Sequence, residues 1–188
     1  MPRVVSGRYG GIPLQAPEGR NTRPTTDKVK EALFSIIQTQ VPGANFLDLF
    51  AGSGQIGIEA ASRGAEHVTM VEQSGAACRI ISKNLEKLRL EESPDIMLIR
   101  GKAQTALEAL GENGEKFDII FMDPPYAECE AATKNVCEQI VKHSLLAPGG
   151  TLISEHSSDL PFATDKMALK ACRSCSYGLT VLTFFVYE

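Results

Sequence analysis

Apolar residues along this chain follow two rhythms: short unbroken runs, as in a strand buried on both faces of a parallel sheet, and stripes recurring every three or four residues. A glycine- and proline-rich opening, with brief alternation around Val4 to Tyr9 and Ile12 to Leu14, predicts a small hairpin and then a loop. Thr25 or Thr26 can cap the next helix, with Asp27 in its first turn and Val29, Ala32, Leu33, Ile36 and Ile37 on its core face. An apolar strand from Asn45 runs into Gly52, Gly54 and Gly57, and a helix carrying Ile56, Ile58, Ala60 and Ala61 follows. His67 to Val71 is a second strand, ending on Glu72. Ser74 caps a helix to Leu90 with Cys78, Ile81, Leu85 and Leu88 inward, and Ile96 to Ile99 is a third strand. Ala103, Ala106, Leu107 and Leu110 mark another helix, and Ile119 to Met122 lie in strand four. Glu128 to His143 reads as helix, Ala147-Pro-Gly-Gly as its terminating turn and Thr151 to Glu155 as strand five. Met167 to Cys172 and Leu179 to Val186 then look like two strands around a Ser176-Tyr-Gly turn, with no crossover helix, so they should pair antiparallel at one edge. Five βα units and a closing hairpin define a three-layer α/β sheet with right-handed crossovers.

At 188 residues, the chain has room for one sizeable core. We expect residues 1–26 to form a short arm and loop, and residues 27–188 the single domain. No apolar run reaches about 18 residues and no basic-then-apolar leader is present, which predicts a cytoplasmic protein with no membrane span. Five cysteines without framework spacing fit a reducing compartment, and Cys172 and Cys175 form a C-x-x-C without a second pair to hold zinc. His67, His143 and His156 show no metal-ligand spacing, although Glu155 and His156 at a strand's carboxyl end could line a pocket. The formal charge of −4 is uneven. Residues 1 to 30 hold six bases (Arg3, Arg8, Arg20, Arg23, Lys28, Lys30) against Glu18 and Asp27, a net of +4, leaving −8 for the remainder. A basic arm on an acidic body is a candidate footprint for RNA or DNA.

The chemistry concentrates in the stretch from Phe117 to Tyr126, FDIIFMDPPY. Pro124 and Pro125 cannot donate to a ladder, and each proline keeps the residue before it extended, so Asp123 and Pro124 close the strand at its carboxyl end. Open α/β sheets bind ligands at that edge. The Asp123 carboxylate and Pro124 carbonyl are two acceptors beside an aromatic ring, Tyr126, a set suited to a planar group bearing an amine. Gly52, Gly54 and Gly57 make G-x-G-x-x-G between a strand and a helix, where the backbone can approach a ligand and helix N-terminal amides face it. Glu72, fifteen residues past Gly57, can accept from the ribose hydroxyls of a nucleoside. Nicotinamide and S-adenosylmethionine enzymes share this layout. Asp48 favours the second, because a carboxylate there would repel a pyrophosphate but pair with an aminoacyl ammonium group.

Taken together, D-L-F-A-G-S-G, the D-P-P-Y box, the terminal hairpin and R-P-T-T-D-K-V-K-E-A-L-F-S-I ahead of strand one resemble the bacterial 16S ribosomal RNA guanine-N2 methyltransferases over nearly the whole chain. The resemblance implies a Rossmann-like class I methyltransferase fold with a mostly parallel seven-stranded sheet, S-adenosylmethionine as donor, and a guanine of 16S ribosomal RNA, free or in the small ribosomal subunit, as acceptor. By position, Asp48, Gly52 and Gly54 would hold the donor's methionyl part and Glu72 its ribose, with Phe50, Ala51 and Ser53 also in the cofactor site. Asp123, Pro124 and Tyr126 would hold the target base. Arg23, Pro24 and Thr25 would form a loop closing over the site, and Arg3, Arg8 and Arg20 would meet RNA. Related enzymes place Asp or Asn after strand three to accept from the adenine amino group; Lys102 stands there instead and cannot accept, leaving that contact to the backbone of Lys102 and Ala103. The protein is expected to act as a monomer. Rival readings are a DNA or RNA adenine-N6 methyltransferase, although this chain has no room for a target-recognition insert, a nicotinamide oxidoreductase, which leaves Asp48 and the proline box unexplained, and a non-catalytic RNA-binding factor.

Overall fold

Residues 2–16, 26–125 and 128–188 are described by the computed structural model. In chain order the elements are α1 (Asp27–Ile36), β1 (Asn45–Asp48), α2 (Gln55–Ser62), β2 (His67–Glu72), α3 (Gly75–Leu88), β3 (Ile96–Arg100), α4 (Ala103–Glu112), β4 (Phe117–Met122), α5 (Cys129–His143), β5 (Leu146–Ser157), β6 (Lys170–Tyr177) and β7 (Thr180–Val186). The strands form one seven-stranded sheet in the order β3-β2-β1-β4-β5-β7-β6. It is parallel from β3 to β5, while β7 runs antiparallel to both β5 and β6. This is the Rossmann-like arrangement expected of a class I methyltransferase. Strand order reverses between β1 and β4, so the switch-point crevice lies at their carboxyl ends.

From Ile119 to Met122, strand β4 is an unbroken apolar run because both its faces are covered. Ile119 and Phe121 join the core under α1, α2 and α3, whereas Ile120 and Met122 join the core under α4 and α5. The N-terminal hairpin forms, but as a tight loop closed by Val4 N–H to Ile12 O (2.9 Å) and Leu14 N–H to Pro2 O (2.8 Å), with one bridge between Arg3 and Pro13. It is sewn to the body. Val4 and Leu14 are buried in the core of α1 to α3, and the Glu59 carboxylate of α2 accepts from the amides of Val5 (2.7 Å) and Ser6 (3.0 Å).

Four expectations need correction. Lys30, counted among the bases of the arm, is wholly buried, its ammonium donating to the Arg3 carbonyl and lying 3.8 Å from both Asp27 and Glu59. Helix α5 begins at Cys129 rather than Glu128. The turn expected at Ala147 to Gly150 is an irregular stretch inside β5: Leu146 pairs with Phe117 before the ladder resumes at Thr151 with Ile119, and Gly149 adopts φ +79°. Gly150 there lies so close to the Phe117 and Asp118 carbonyls that a Cβ would fall 3.0 and 3.1 Å from them. Strand β6 starts at Lys170 and continues through Tyr177, so the connection to β7 shrinks to Gly178 and Leu179, with Gly178 at φ +64°. Of the two capping candidates, Thr26 takes the role, accepting from the Val29 amide at 3.3 Å; Thr25 lies outside the described residues.

Candidate active site

Strand β1 delivers Asp48 to the switch point, and the chain then leaves the sheet through Leu49 to Gly54. Two amides of this loop keep it attached to the sheet, Leu49 N–H to Phe121 O (2.9 Å) and Ala51 N–H to Val71 O (3.0 Å). Gly52 turns at φ +55° with open space where a Cβ would stand, so a ligand can come up against its backbone. Gly57 serves packing instead: a Cβ there would lie 2.6 Å from Met70 of β2. Phe50 is half-buried, whereas Ala51 and Ser53 are buried.

Asp48 is buried, with one carboxylate oxygen accepting the Gly57 amide at 3.2 Å. The other, Oδ1, has no hydrogen-bond partner among the described residues. Burial raises the carboxyl to about 7, against the pull of the Gly57 and Phe50 amides and with a smaller push from the charge of Glu72. An orphaned buried acceptor is costly unless a donor comes to it, and an ammonium group fits that requirement. The Glu72 carboxylate lies across the loop, accepting from Gly52 N–H (2.8 Å) and Ser74 N–H (2.7 Å) with one oxygen each. Each oxygen keeps lone-pair capacity for hydroxyl donors. Lys102 is exposed at the N-cap of α4 with no side-chain capping bond, and Ala103 opens that helix at the same sheet edge.

On the other side of the switch point, β4 ends at Met122 and presents Asp123 and the buried Pro124. The β4–β5 register pairs Met122 with Ser154, which puts Asp123 and Glu155 side by side at the strand ends. Burial first, then the charges of Glu155 and Asp48, push the Asp123 carboxyl well above the usual carboxylate range. Four carboxylates, Asp48, Glu72, Asp123 and Glu155, thus share one edge, and two perturbed acids in one crevice, Asp48 and Asp123, mark a functional site. His156 turns away from it, with Nε2 2.9 Å from Thr183 Oγ1 and its ring stacked on Phe162 at 3.7 Å between centroids.

The structure therefore gathers Asp48, Phe50 to Gly54, Glu72, Lys102, Ala103, Asp123 and Pro124 at one edge. Tyr126, Arg20, Arg23, Pro24 and Thr25 lie outside the described residues. Arg3 pairs with Asp27 in the first turn of α1 at 3.2 Å, and the Arg8 amide bonds Ser62 O at the far end of α2, about 12 Å of helix from the glycine loop. One residue escaped the sequence reading. Asn84 of α3, wholly buried, donates to Ser53 O (2.9 Å) and Gln15 O (3.0 Å) and accepts from Gln15 N–H (2.7 Å), joining the glycine loop to the N-terminal segment. In the sequence, Asn84 stands only as a polar residue in a core slot of the stripe Ile81, Leu85, Leu88, which does not name its partners.

Comparison with known proteins supplies an independent line. A family model described as Conserved hypothetical protein 95 matches residues 2–186. A Bacillus subtilis protein provisionally named an rRNA methyltransferase, YlbH, is 38% identical over 183 residues, 97% of each chain. Ribosomal RNA small subunit methyltransferase D of Escherichia coli K12 is 36% identical over 124 residues, 66% of this chain and 60% of that one. Among solved structures, an Escherichia coli protein provisionally described as a methyltransferase, yhhF, superimposes with a TM-score of 0.83 at 27% identity, covering 99% of this chain and 97% of its own.

Proposed function

The chain belongs to the family described as Conserved hypothetical protein 95, and from that premise and the geometry of the crevice we propose that it methylates the exocyclic N2 of a guanine in 16S ribosomal RNA. At the coarser level it is an S-adenosylmethionine-dependent methyltransferase acting on ribosomal RNA, in line with its relatives. The observation that carries the reading is the pairing across one switch point of an unsatisfied buried acceptor, Asp48 Oδ1, with the proline-braced Asp123. When bound, S-adenosylmethionine supplies an electrophilic methyl group. Asp48 would hold its ammonium, Glu72 its ribose hydroxyls, and the open backbone at Gly52 its methionyl chain.

Guanine N2 is a poor nucleophile because its lone pair is delocalised into the ring. Asp123 and the Pro124 carbonyl accept its two N–H groups, which favours a more tetrahedral nitrogen with an available lone pair and holds that nitrogen in line for displacement. Tyr126 stacks on the base once it has left its neighbours. Once methylated, N2 has a proton to lose, and Asp123, with its raised proton affinity, would hold it. Arg23, Pro24 and Thr25 close over the base, and the protein acts as a cytoplasmic monomer. No helix among the described residues is long and apolar enough to cross a membrane.

Labelled methyl transfer to unmodified small subunits, free 16S RNA and DNA in parallel, followed by nucleoside analysis, tests this directly. N2-methylguanosine in RNA is the expected product, and N6-methyladenosine would replace the proposal with its rival. Asp123→Ala should lower transfer by roughly a thousandfold or more while donor affinity survives. An active Asp123→Ala protein would refute the assignment.

A further inference from the structure

Ribosomal RNA is a polyanion and this chain carries a net charge of −4, so a sequence-independent docking surface has to be locally positive. The exposed faces of the helices differ in this respect. Helix α5 alternates Glu130, Lys134, Glu138 and Lys142 at four-residue spacing, a face that neutralises itself. Helix α4 shows Glu108 and Glu112, and α1 shows Lys28 beside Glu31. Helix α3 breaks the pattern. Arg79, Lys83 and Lys87 follow one another at four-residue spacing, all exposed, with Arg89 just beyond and Glu86 the single acid among them. From Gly75 to Arg89 there are four bases against one acid, a net of +3. None of these bases has an acidic partner within ion-pair distance among the described residues.

The stripe also runs between two relevant places. Its first end lies at the carboxyl edge of the sheet, where the Arg100 guanidinium rests against Gly75, so close that a Cβ there would fall 2.9 Å from it. Its other end meets the N-terminal hairpin, where Lys87 donates to the Pro13 carbonyl at 2.6 Å and keeps two donors in hand. Successive cations are separated by about 6 Å of helix rise, a spacing on the order of that between neighbouring phosphates of one strand.

We propose that the outer face of α3 is the RNA-docking surface of the body, with Arg79, Lys83 and Lys87 engaging consecutive phosphates of the strand that enters the crevice. This rests on the proposed action on ribosomal RNA and adds where the backbone lies, a role that requires no base recognition.

The test uses the full chain and unmodified 16S RNA, with binding measured across a range of salt. The triple substitution Arg79→Gln, Lys83→Gln, Lys87→Gln should weaken binding roughly tenfold or more near physiological salt and flatten the dependence of log affinity on log salt by about 2, while affinity for S-adenosylhomocysteine and turnover at saturating RNA stay at parental values. The double substitution Arg79→Gln, Lys83→Gln leaves the Lys87–Pro13 bond intact and should give about two thirds of that change. Lys134→Gln with Lys142→Gln on α5 removes as much charge as the double and should alter affinity less than twofold. Parental binding by the triple variant would overturn the proposal, as would equal weakening by the α5 pair. A parent protein that neither binds nor methylates ribosomal RNA would instead bring down the functional reading itself, an outcome distinct from an active parent matched by an unaffected triple variant.

Discussion

Asp48 carries a conflict between folding and binding. Its folded-state pKa of about 7 stands above its ordinary 3.8, so between those values the folded protein holds a proton that the unfolded chain has released. The stabilising proton is fully present below about pH 4 and lost as pH rises through 7. The resulting penalty in the donor-free protein is on the order of 4 kcal/mol above neutrality. Asp48→Asn should therefore raise the melting temperature at pH 8 and barely change it at pH 4, while reducing donor affinity ten- to a hundredfold through loss of a charge-assisted bond. Thermal melts at the two pH values with calorimetric titration check both halves. Loss of stability at pH 8 would show that the Gly57 amide, and not the unpaired oxygen, dominates at this position.

At the level of elements, α1 is held by a charge rather than by grease alone. Burial lowers the Lys30 pKa, opposed by Glu59 and Asp27, and the ammonium links the Arg3 carbonyl to both acids. Lys30→Ala should cost about 1 to 3 kcal/mol, because it leaves the Arg3 carbonyl without its donor and the buried Glu59 with Arg63, at 2.8 Å, as its remaining counter-ion, and denaturant unfolding at neutral pH measures it. Lys30 also shows where the sequence was hard to read. The five parallel strands, the helices between them and β7 were legible because each displays one apolar period; β6, mostly exposed and without such a period, was legible only as a strand antiparallel to β7, and its bounds were not. Asp48, Glu72 and Asp123 stood out because each ends a strand. Lys30 and Asn84 were not, since a polar residue inside an apolar stripe looks like an interruption until its partner, distant in sequence, is known. The irregular start of β5 was hidden for a related reason: Pro148, Gly149 and Gly150 signal a turn, and only the neighbouring β4 carbonyls turn that signal into a kinked strand.

For the molecule as a whole, the N-terminal segment is structural as well as basic. Removing residues 2–16 would uncover the core slots of Val4 and Leu14, each worth about 1.5 to 3 kcal/mol, and leave the Glu59 carboxylate without two amide donors. We expect that truncation to unfold the protein or drop its melting temperature by more than about 10 °C, rather than yield a stable enzyme deficient only in RNA binding. The unpaired oxygen of Asp48 also ties the protein's stability to its ligand. A ligand held only by the folded form adds about 2.7 kcal/mol at a hundred times its dissociation constant, comparable to the penalty that Asp48 imposes. A cell short of methyl donor would hold this protein in its weaker state, open more often to proteases, so that its lifetime would gauge the donor supply before any ribosome was involved.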